Sequence, residues 1–386
     1  MAVYKIFPQA DATIYSKYPT VNTGRDEILE VSALNVIDEN GIVKYQNDVR
    51  RTLIQFSDED INILKGYNSS SFEAKLKLFL AYADNLSLEY SVNAYCVSKS
   101  WVMGTGKFSD NPPRTNGVNW DYTGPYGTSV SWSLAGGDVI TDHTASQAFN
   151  YRSDKDLDID VSPLVQHWFD NDHTNNGFLV RLEDSVEQSS GSLQLKFFSV
   201  DTHTIYPPCL EFSWDDSNYN PTTGSRGMVF ANDSVRITPT NIMSSYPVGS
   251  VVEYRVKASE RFPARVFTTG SIYLQGWLYL SEETYWGLQD MKTGEMVIDF
   301  HETYTKVSAD SEGNYFKIYT EGLQPERYYQ VILKTTLYDT SFGALSIYTS
   351  SLAASQAVYA MTAQQKAILP QITSIVNVET PFKVVR

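Results

Sequence analysis

Apolar and polar residues alternate along most of this chain, and few segments carry a helical period. LEVSAL, RTLIQFS, AKLKLFLAYA, LSLEYSVNAYCV, GFLVRLED, SLQLKFFSV and CLEFSW read as strands, because successive side chains of a strand point to opposite faces. Between them lie DENG, NPPRTNG, YTGPYG, LAGGD and DNDHTNNG, rich in the residues that set turn geometry. A second series follows in VVEYRVKA, ARVFTT, SIYLQGWLYL, MVIDF, NYFKIYTEG, YYQVILKTTLY and LSIYTSSL. Strand, turn and strand at this spacing predict an all-β chain built from antiparallel sandwiches.

Two short helices interrupt the pattern. Ser162 is the expected N-cap of one, with Pro163 at the first helical position and Leu164, Val165, Trp168 and Phe169 as its apolar face. The LDIDV run before it sends Leu157, Ile159 and Val161 inward and Asp158 and Asp160 outward. SDEDINILKG predicts a weaker helix capped from Ser57. DDSNYNPTTGSR is polar, turn-rich and without apolar period, as an interdomain linker is. The expected organisation is one sandwich over residues 1–216, a linker at 217–226, a second sandwich at 227–352 and an extended tail at 353–386. The tail mixes a helix-like TAQQKAI with ITSIVNVETPFKVVR, whose end suits strand addition to an exposed sheet edge.

The length of 386 residues allows each half its own core. The 26 Tyr and 7 Trp fit half-buried pleated surfaces and so favour strands. A formal charge of -15, with no stripe of Lys and Arg, would repel a phosphate backbone, so no nucleic-acid partner is expected. The opening MAVYKIFPQADATIY lacks the charged and apolar regions of a signal peptide, and no run approaches the roughly 20 apolar residues of a membrane span. The expectation is a chain made in a cytoplasm with no membrane contact. Cys96 and Cys209 sit in strand-like runs far apart; two reduced core thiols are expected, with a disulfide left open by the sequence.

Candidate carboxylates are plentiful: Asp156, Asp158 and Asp160; Asp170 with Asp172; Asp215 with Asp216; Glu282 with Glu283. General acid and base work needs two such groups in one pocket. Alternating Asp residues on one strand are far more often a solvated face. Asp154 to Asp160 mimic a calcium loop, but Ile159 stands where an EF-hand needs Gly. A looser calcium site at Asp38 and Asn40 is less common than an ordinary hairpin turn there, so no motif supports a structural calcium ion and no cofactor is expected. His143, His167, His173, His203 and His301 show no metal-ligand spacing. GxSxG, P-loop and dinucleotide motifs are missing, and GTGKF is too short to be one. Neither a catalytic residue nor a metal ligand is named, and the chain reads as a non-enzyme.

One segment concentrates aromatic rings: Trp101, Trp120, Tyr122, Tyr126 and Trp132 within WVMGTGKFSDNPPRTNGVNWDYTGPYGTSVSW. Rings on loops stack against sugar faces, or else cover the end of a sandwich or a protein interface. The second of these is the commoner role and the one expected here.

Five places in order give the first half a family resemblance: ADATIY with Asn22 and Gly24 in VNTGRDEILEV; RRTLIQF; GVNWDY; DVSPLVQHWFDNDHTNNGFLVR; and YPPCLEFSWDD. Together they resemble the DNRLRE-type β-sandwich related to carbohydrate-binding modules, which implies a jelly-roll-like fold and, as the second reading of function, adhesion to host or extracellular polysaccharide. SLQLKFFSVDTHTIYPP departs from the family pattern, so no ligand residue carries over in that loop. In the second half, Leu323, Pro325 and Tyr329 in GLQPERYYQVIL resemble the tyrosine corner of fibronectin type III and immunoglobulin-like sandwiches. The opening MAVYKIFPQADATIYSKYP, without an export signal, is similar to structural virion proteins of T4-like tailed bacteriophages. That resemblance implies a tail, baseplate or neck component, present in many symmetric copies and partnered by other virion proteins.

Overall fold

The computed structural model describes residues 2–37, 43–67, 72–84, 86, 89–150, 152, 156–189, 192–217, 227–228, 235–260, 278–338, 371–378 and 380–386. Asp38 and Asn40, most of the expected linker, the strands expected at ARVFTT and LSIYTSSL, most of SIYLQGWLYL, and the TAQQKAI helix lie outside them. The chain divides into a unit of Tyr4–Trp214 and a second of Asp215–Arg386 with the first three residues.

The first unit runs β1 (Ala2–Ile6), β2 (Ala10–Tyr15), β3 (Ile28–Ile37), β4 (Val43–Gln55), α1 (Asp58–Tyr67), β5 (Phe72–Leu78), β6 (Leu80–Asp84) and β7 (Glu89–Val97). After a long segment come β8 (Val139–Asn150), β9 (Leu157–Asp160), α2 (Ser162–Phe169), β10 (Phe178–Leu182), α3 (Asp184–Glu187), β11 (Leu193–Phe198) and β12 (Cys209–Trp214). A four-stranded sheet in the order β1-β12-β5-β9 faces an eight-stranded sheet in the order β6-β11-β3-β4-β10-β7-β8, with β2 also beside β4. Leu76, Leu78, Ile159, Leu210 and Phe212 of the small sheet and Val31, Ile54, Val92, Phe178, Val180 and Leu195 of the large one form one buried core. Each such side chain, taken out of water, contributes about 1.5–3 kcal/mol.

The expected alternation is visible in β9, where Leu157 and Ile159 are buried and Asp158 and Asp160 exposed. α1 begins as expected, the Ser57 hydroxyl accepting the Asp60 N–H at 3.1 Å. α2 does not. Val161 occupies its cap position without a side-chain bond, and Ser162 is already helical. The Ser162 hydroxyl instead accepts the Ala74 N–H at 2.9 Å, which ties the helix to the edge of β5. Pro163 does sit in the first turn, and Leu164, Val165, Trp168 and Phe169 are buried. Cys96 and Cys209 are buried free thiols, one in each sheet. Burial pushes the Cys96 thiol up to about 12.

The second unit holds β13 (Gly227–Met228), β14 (Val235–Pro239), β15 (Ser245–Pro247), β16 (Val251–Glu260), β17 (Leu278–Tyr279), β18 (Thr284–Asp290), β19 (Met296–Ile298), β20 (Ser308–Asp310), β21 (Gly313–Tyr319), β22 (Arg327–Tyr338), β23 (Gln371–Asn377) and β24 (Phe382–Val385). Its sheets run β13-β17-β16-β21-β20, with β14 beside β16, and β15-β24-β22-β18-β19, with β23 beside β22. Two short pairs, β13 with β17 and β15 with β24, are parallel, a departure from the wholly antiparallel expectation. Tyr254, Val256 and Ile318 meet Leu288, Val331 and Leu333 in one core, with Trp286 stacked on Phe316 at 4.8 Å.

Residues expected to trail beyond the second sandwich are strands of it. β23 pairs with β22 from Gln371 to Asn377, and β24 lies between β22 and β15. The reason is local: FKVV alternates, so Phe382 and Val384 enter the core while Lys383 and Val385 turn outward.

Tyr329 is buried, and its hydroxyl accepts the Gln324 N–H at 2.9 Å and donates to the Gln324 carbonyl at 3.1 Å. Leu323 is buried beside it and Pro325 half-buried. This is the geometry of a tyrosine corner. Tyr329→Phe removes one partner from both groups and is expected to cost about 1–3 kcal/mol in urea unfolding with little change in the dependence on denaturant. Unchanged stability would show that water replaces the hydroxyl freely.

Candidate functional site

Between β7 and β8 the chain leaves the large sheet and crosses its outer face over residues 98–138. Here Ala12, Ile14, Leu53, Val97 and Leu179, which point away from the main core, meet Trp101, Val118 and Trp132 in a second small core. The large sheet is covered on both faces at this point, which is why β10 reads as the nearly continuous apolar run FLVRL.

The segment has little regular structure and is held by side-chain amides. Asn22 is fully buried; its Nδ2 donates to the Met103 carbonyl at 2.7 Å and the Val118 carbonyl at 2.9 Å, and its Oδ1 accepts the Gly106 N–H at 2.9 Å. The packing around it admits no Cβ: one at Gly24 would stand 2.1 Å from the Met103 carbonyl oxygen, and one at Gly117 2.5 Å from Asn22 Nδ2. Asn119 repeats the device, donating to the carbonyls of Gly117 and Gly124 while accepting the N–H groups of Asp121 and Tyr122. At the far end Asp138 pairs with Lys99 at 2.6 Å and accepts the Ser133 and Leu134 N–H groups. Burial alone would raise this carboxyl, but those donors hold it down at about 2.

The five aromatic residues separate into two groups. Trp101 and Trp132 are buried, their indole N–H groups donating to the Asn176 carbonyl at 2.9 Å and the Asn119 carbonyl at 3.0 Å. Both are core, with no face for a ligand. Trp120 is half-buried beneath the Arg51 guanidinium, 5.1 Å from the ring. Tyr122 is half-buried and meets Tyr126 edge-on at 5.3 Å. Tyr126 is 51% exposed, and three residues not singled out in the sequence join it at the surface: Val102 at 54%, Val130 at 66% and Leu134 at 76%. Val102 and Val130 flank Thr123 through backbone bonds, Val102 N–H to the Thr123 carbonyl and Thr123 N–H to the Val130 carbonyl. No period marks them, because the chain here is irregular.

A second arrangement on the same sheet face was also out of reach of the sequence. Arg51 makes a two-point ion pair with Glu187 at 2.6 and 3.1 Å, and Arg181 lies over the Tyr95 ring at 5.1 Å and pairs with Asp184 at 2.9 Å. With Trp120 this makes a ladder of Tyr95, Arg181, Glu187, Arg51 and Trp120. Beside it is a cavity of about 590 Å³ lined by Arg51, Lys99, Leu134, Asp138, Leu179 and Arg181.

The candidate carboxylates lie apart in their own surroundings. Asp170 accepts from Gln166, Asp172 pairs with His167, and Asp215 pairs with Lys306 at 3.0 Å. His143 joins His167 and His173, with tilted rings 4.3 Å apart between the first two and 5.1 Å between the last two. Among the described residues no group of three or more His, Cys, Asp or Glu is arranged to hold a metal ion. Among them too, no helix is long and apolar enough to cross a membrane. Compared with models of known protein families the sequence matches none, and a search of curated proteins returns no match either.

Proposed function

We propose that this chain is a non-enzymatic structural component of a tailed-phage virion, docking on neighbouring subunits through the outer face of residues 98–138. The observation that supports this most is the exposure of Val102, Tyr126 and Val130 on a segment whose backbone is pinned by Asn22 and Asn119. Exposed apolar groups on a pre-ordered frame lose little conformational entropy on binding, and aromatic anchors carry much of the energy of protein interfaces. The burial of Trp101 and Trp132 argues in the same direction, since it removes two rings from any sugar platform.

Particles assembled with Val130→Asp or Tyr126→Ala are expected to contain at least about tenfold less of the chain, while the purified variants unfold within about 0.5 kcal/mol of the parent. Absence of the unaltered chain from purified particles by mass spectrometry sinks the virion reading; normal incorporation of Val130→Asp sinks this face. The ladder and its cavity favour a second reading, glycan adhesion, because paired charges and aromatic rings in a concave site suit hydroxyl-rich ligands. A glycan array bound by the parent, unbound by Arg181→Met and still bound by Val130→Asp would select it.

A further inference from the structure

Two carboxyl groups, Asp11 at the start of β2, buried, and Asp26 just before β3, half-buried, stand where three stretches of chain converge. Asp11 accepts the Val200 N–H at 2.7 Å. Both carboxyl oxygens of Asp26 accept the Phe108 N–H at 3.2 Å, and its backbone carbonyl accepts the Ser199 hydroxyl at 2.6 Å. The 22–27 turn, the 104–110 loop and the 199–204 turn are therefore fastened to one another by these two residues. Over the junction lies a cavity of about 350 Å³ lined by Arg25, Lys107, Asp110, Arg114, Asp201 and His203.

The neighbouring cations are already engaged. Asp11 faces Asp201 and Arg25, and Arg25 pairs with Asp201 at 2.8 Å. Asp26 faces Lys107, Glu30 and Asp110, and Lys107 pairs with Glu27 at 3.4 Å. Ionising Asp11 and Asp26 thus adds two negative charges to a junction where Arg25 and Lys107, the cations facing them among the described residues, are already paired. Such charge draws water in unless a partner is at hand.

We infer that this junction is a proton-sensitive clamp: with both carboxyls protonated it holds the 104–110 and 199–204 loops closed, and with both ionised it lets them open around the cavity. Burial pushes Asp11 up to about 7 and Asp26 to about 6, from an ordinary value of 3.8. In the unfolded chain both groups lose their protons near 3.8, so the folded form holds more protons between there and about 7. The contribution of the clamp is whole below the unfolded value, declines as pH rises through 6 and 7, and is gone above.

Hydrogen exchange on the full chain at pH 5 and pH 8, corrected for intrinsic rates, reads this directly. Peptides covering 104–110 and 199–204 are expected to lose about tenfold or more of their protection at the higher pH, and peptides from β5 and β12 to lose none. In Asp11→Asn/Asp26→Asn, which keeps an acceptor oxygen for each N–H, protection of both loops should be the same at the two pH values. Equal protection in the parent overturns the clamp, as does pH dependence that survives in the double variant. If that variant fails to fold, carbon-13 titration of the parent's aspartate carboxyls decides: two midpoints well above the ordinary range support the clamp, and none above about 5 overturns it.

Discussion

Asn22→Ala should remove about 3–9 kcal/mol from the stability of the first unit. The side chain serves three buried backbone groups, the carbonyls of Met103 and Val118 and the N–H of Gly106, and each left without a partner costs about 1–3 kcal/mol. A domain is stable by only about 5–15 kcal/mol, so the variant should stand near the edge of unfolding at room temperature. Asn22→Asp tests the direction of the bonds. It retains the shape but replaces the donor that lies 2.7 and 2.9 Å from two carbonyl oxygens with an acceptor, and should be no better than alanine at neutral pH. Gln offers no remedy, because the backbones of Gly104 and Gly117 close the space. Urea unfolding of the three variants decides the matter; an alanine variant as stable as the parent would mean that residues 98–118 are held by something other than Asn22.

Trp132→Ala and Trp101→Ala should each cost about 3–5 kcal/mol, as large-to-small changes in a packed core do. Each ring also carries an N–H that satisfies a carbonyl, at Asn119 and Asn176, so the loss includes a buried acceptor left bare. The contrast with Tyr126→Ala is the useful part. If Trp101 and Trp132 were a ligand platform, their removal would spare stability and abolish binding. Their burial against Ile14, Leu53 and Leu179 reverses that, and any loss of binding in these variants should follow the loss of fold. Thermal unfolding of the three variants side by side separates the cases; a stable Trp132→Ala would remove the structural role assigned here.

The strands were legible because their information is local. LDID and FKVV alternate, and the structure sends the apolar members inward. What alternation does not carry is the partner. Nothing near FKVV indicates that it lies between β22 and β15, so those residues read as a tail. Asn22 and Gly24 were visible as one of the five places of the resemblance, but the groups Asn22 serves lie at residues 103, 106 and 118, beyond any local signal. In the same way the aromatic segment announced its composition and not its orientation: whether an indole faces solvent or core depended on Asn119 and Asn176 being placed to receive its N–H. Val102 and Val130 escaped notice because isolated apolar residues in irregular chain resemble any others. Ser162 shows a smaller failure, where a good capping residue was taken by the neighbouring strand edge instead.

The position of β24 also sets an order in time. β15 has its neighbour in residues 383–385, and Phe382 and Val384 complete the core that Tyr246, Val252 and Tyr254 begin. During synthesis, then, the second unit is left with an open sheet and an unfilled core until those residues clear the ribosome, while the first unit has all its strands well before. Its folding is expected to follow release of residues 382–385, and a chain halted short of them should present exposed β22 edge and apolar surface, the features that mark a nascent protein for chaperones and proteases.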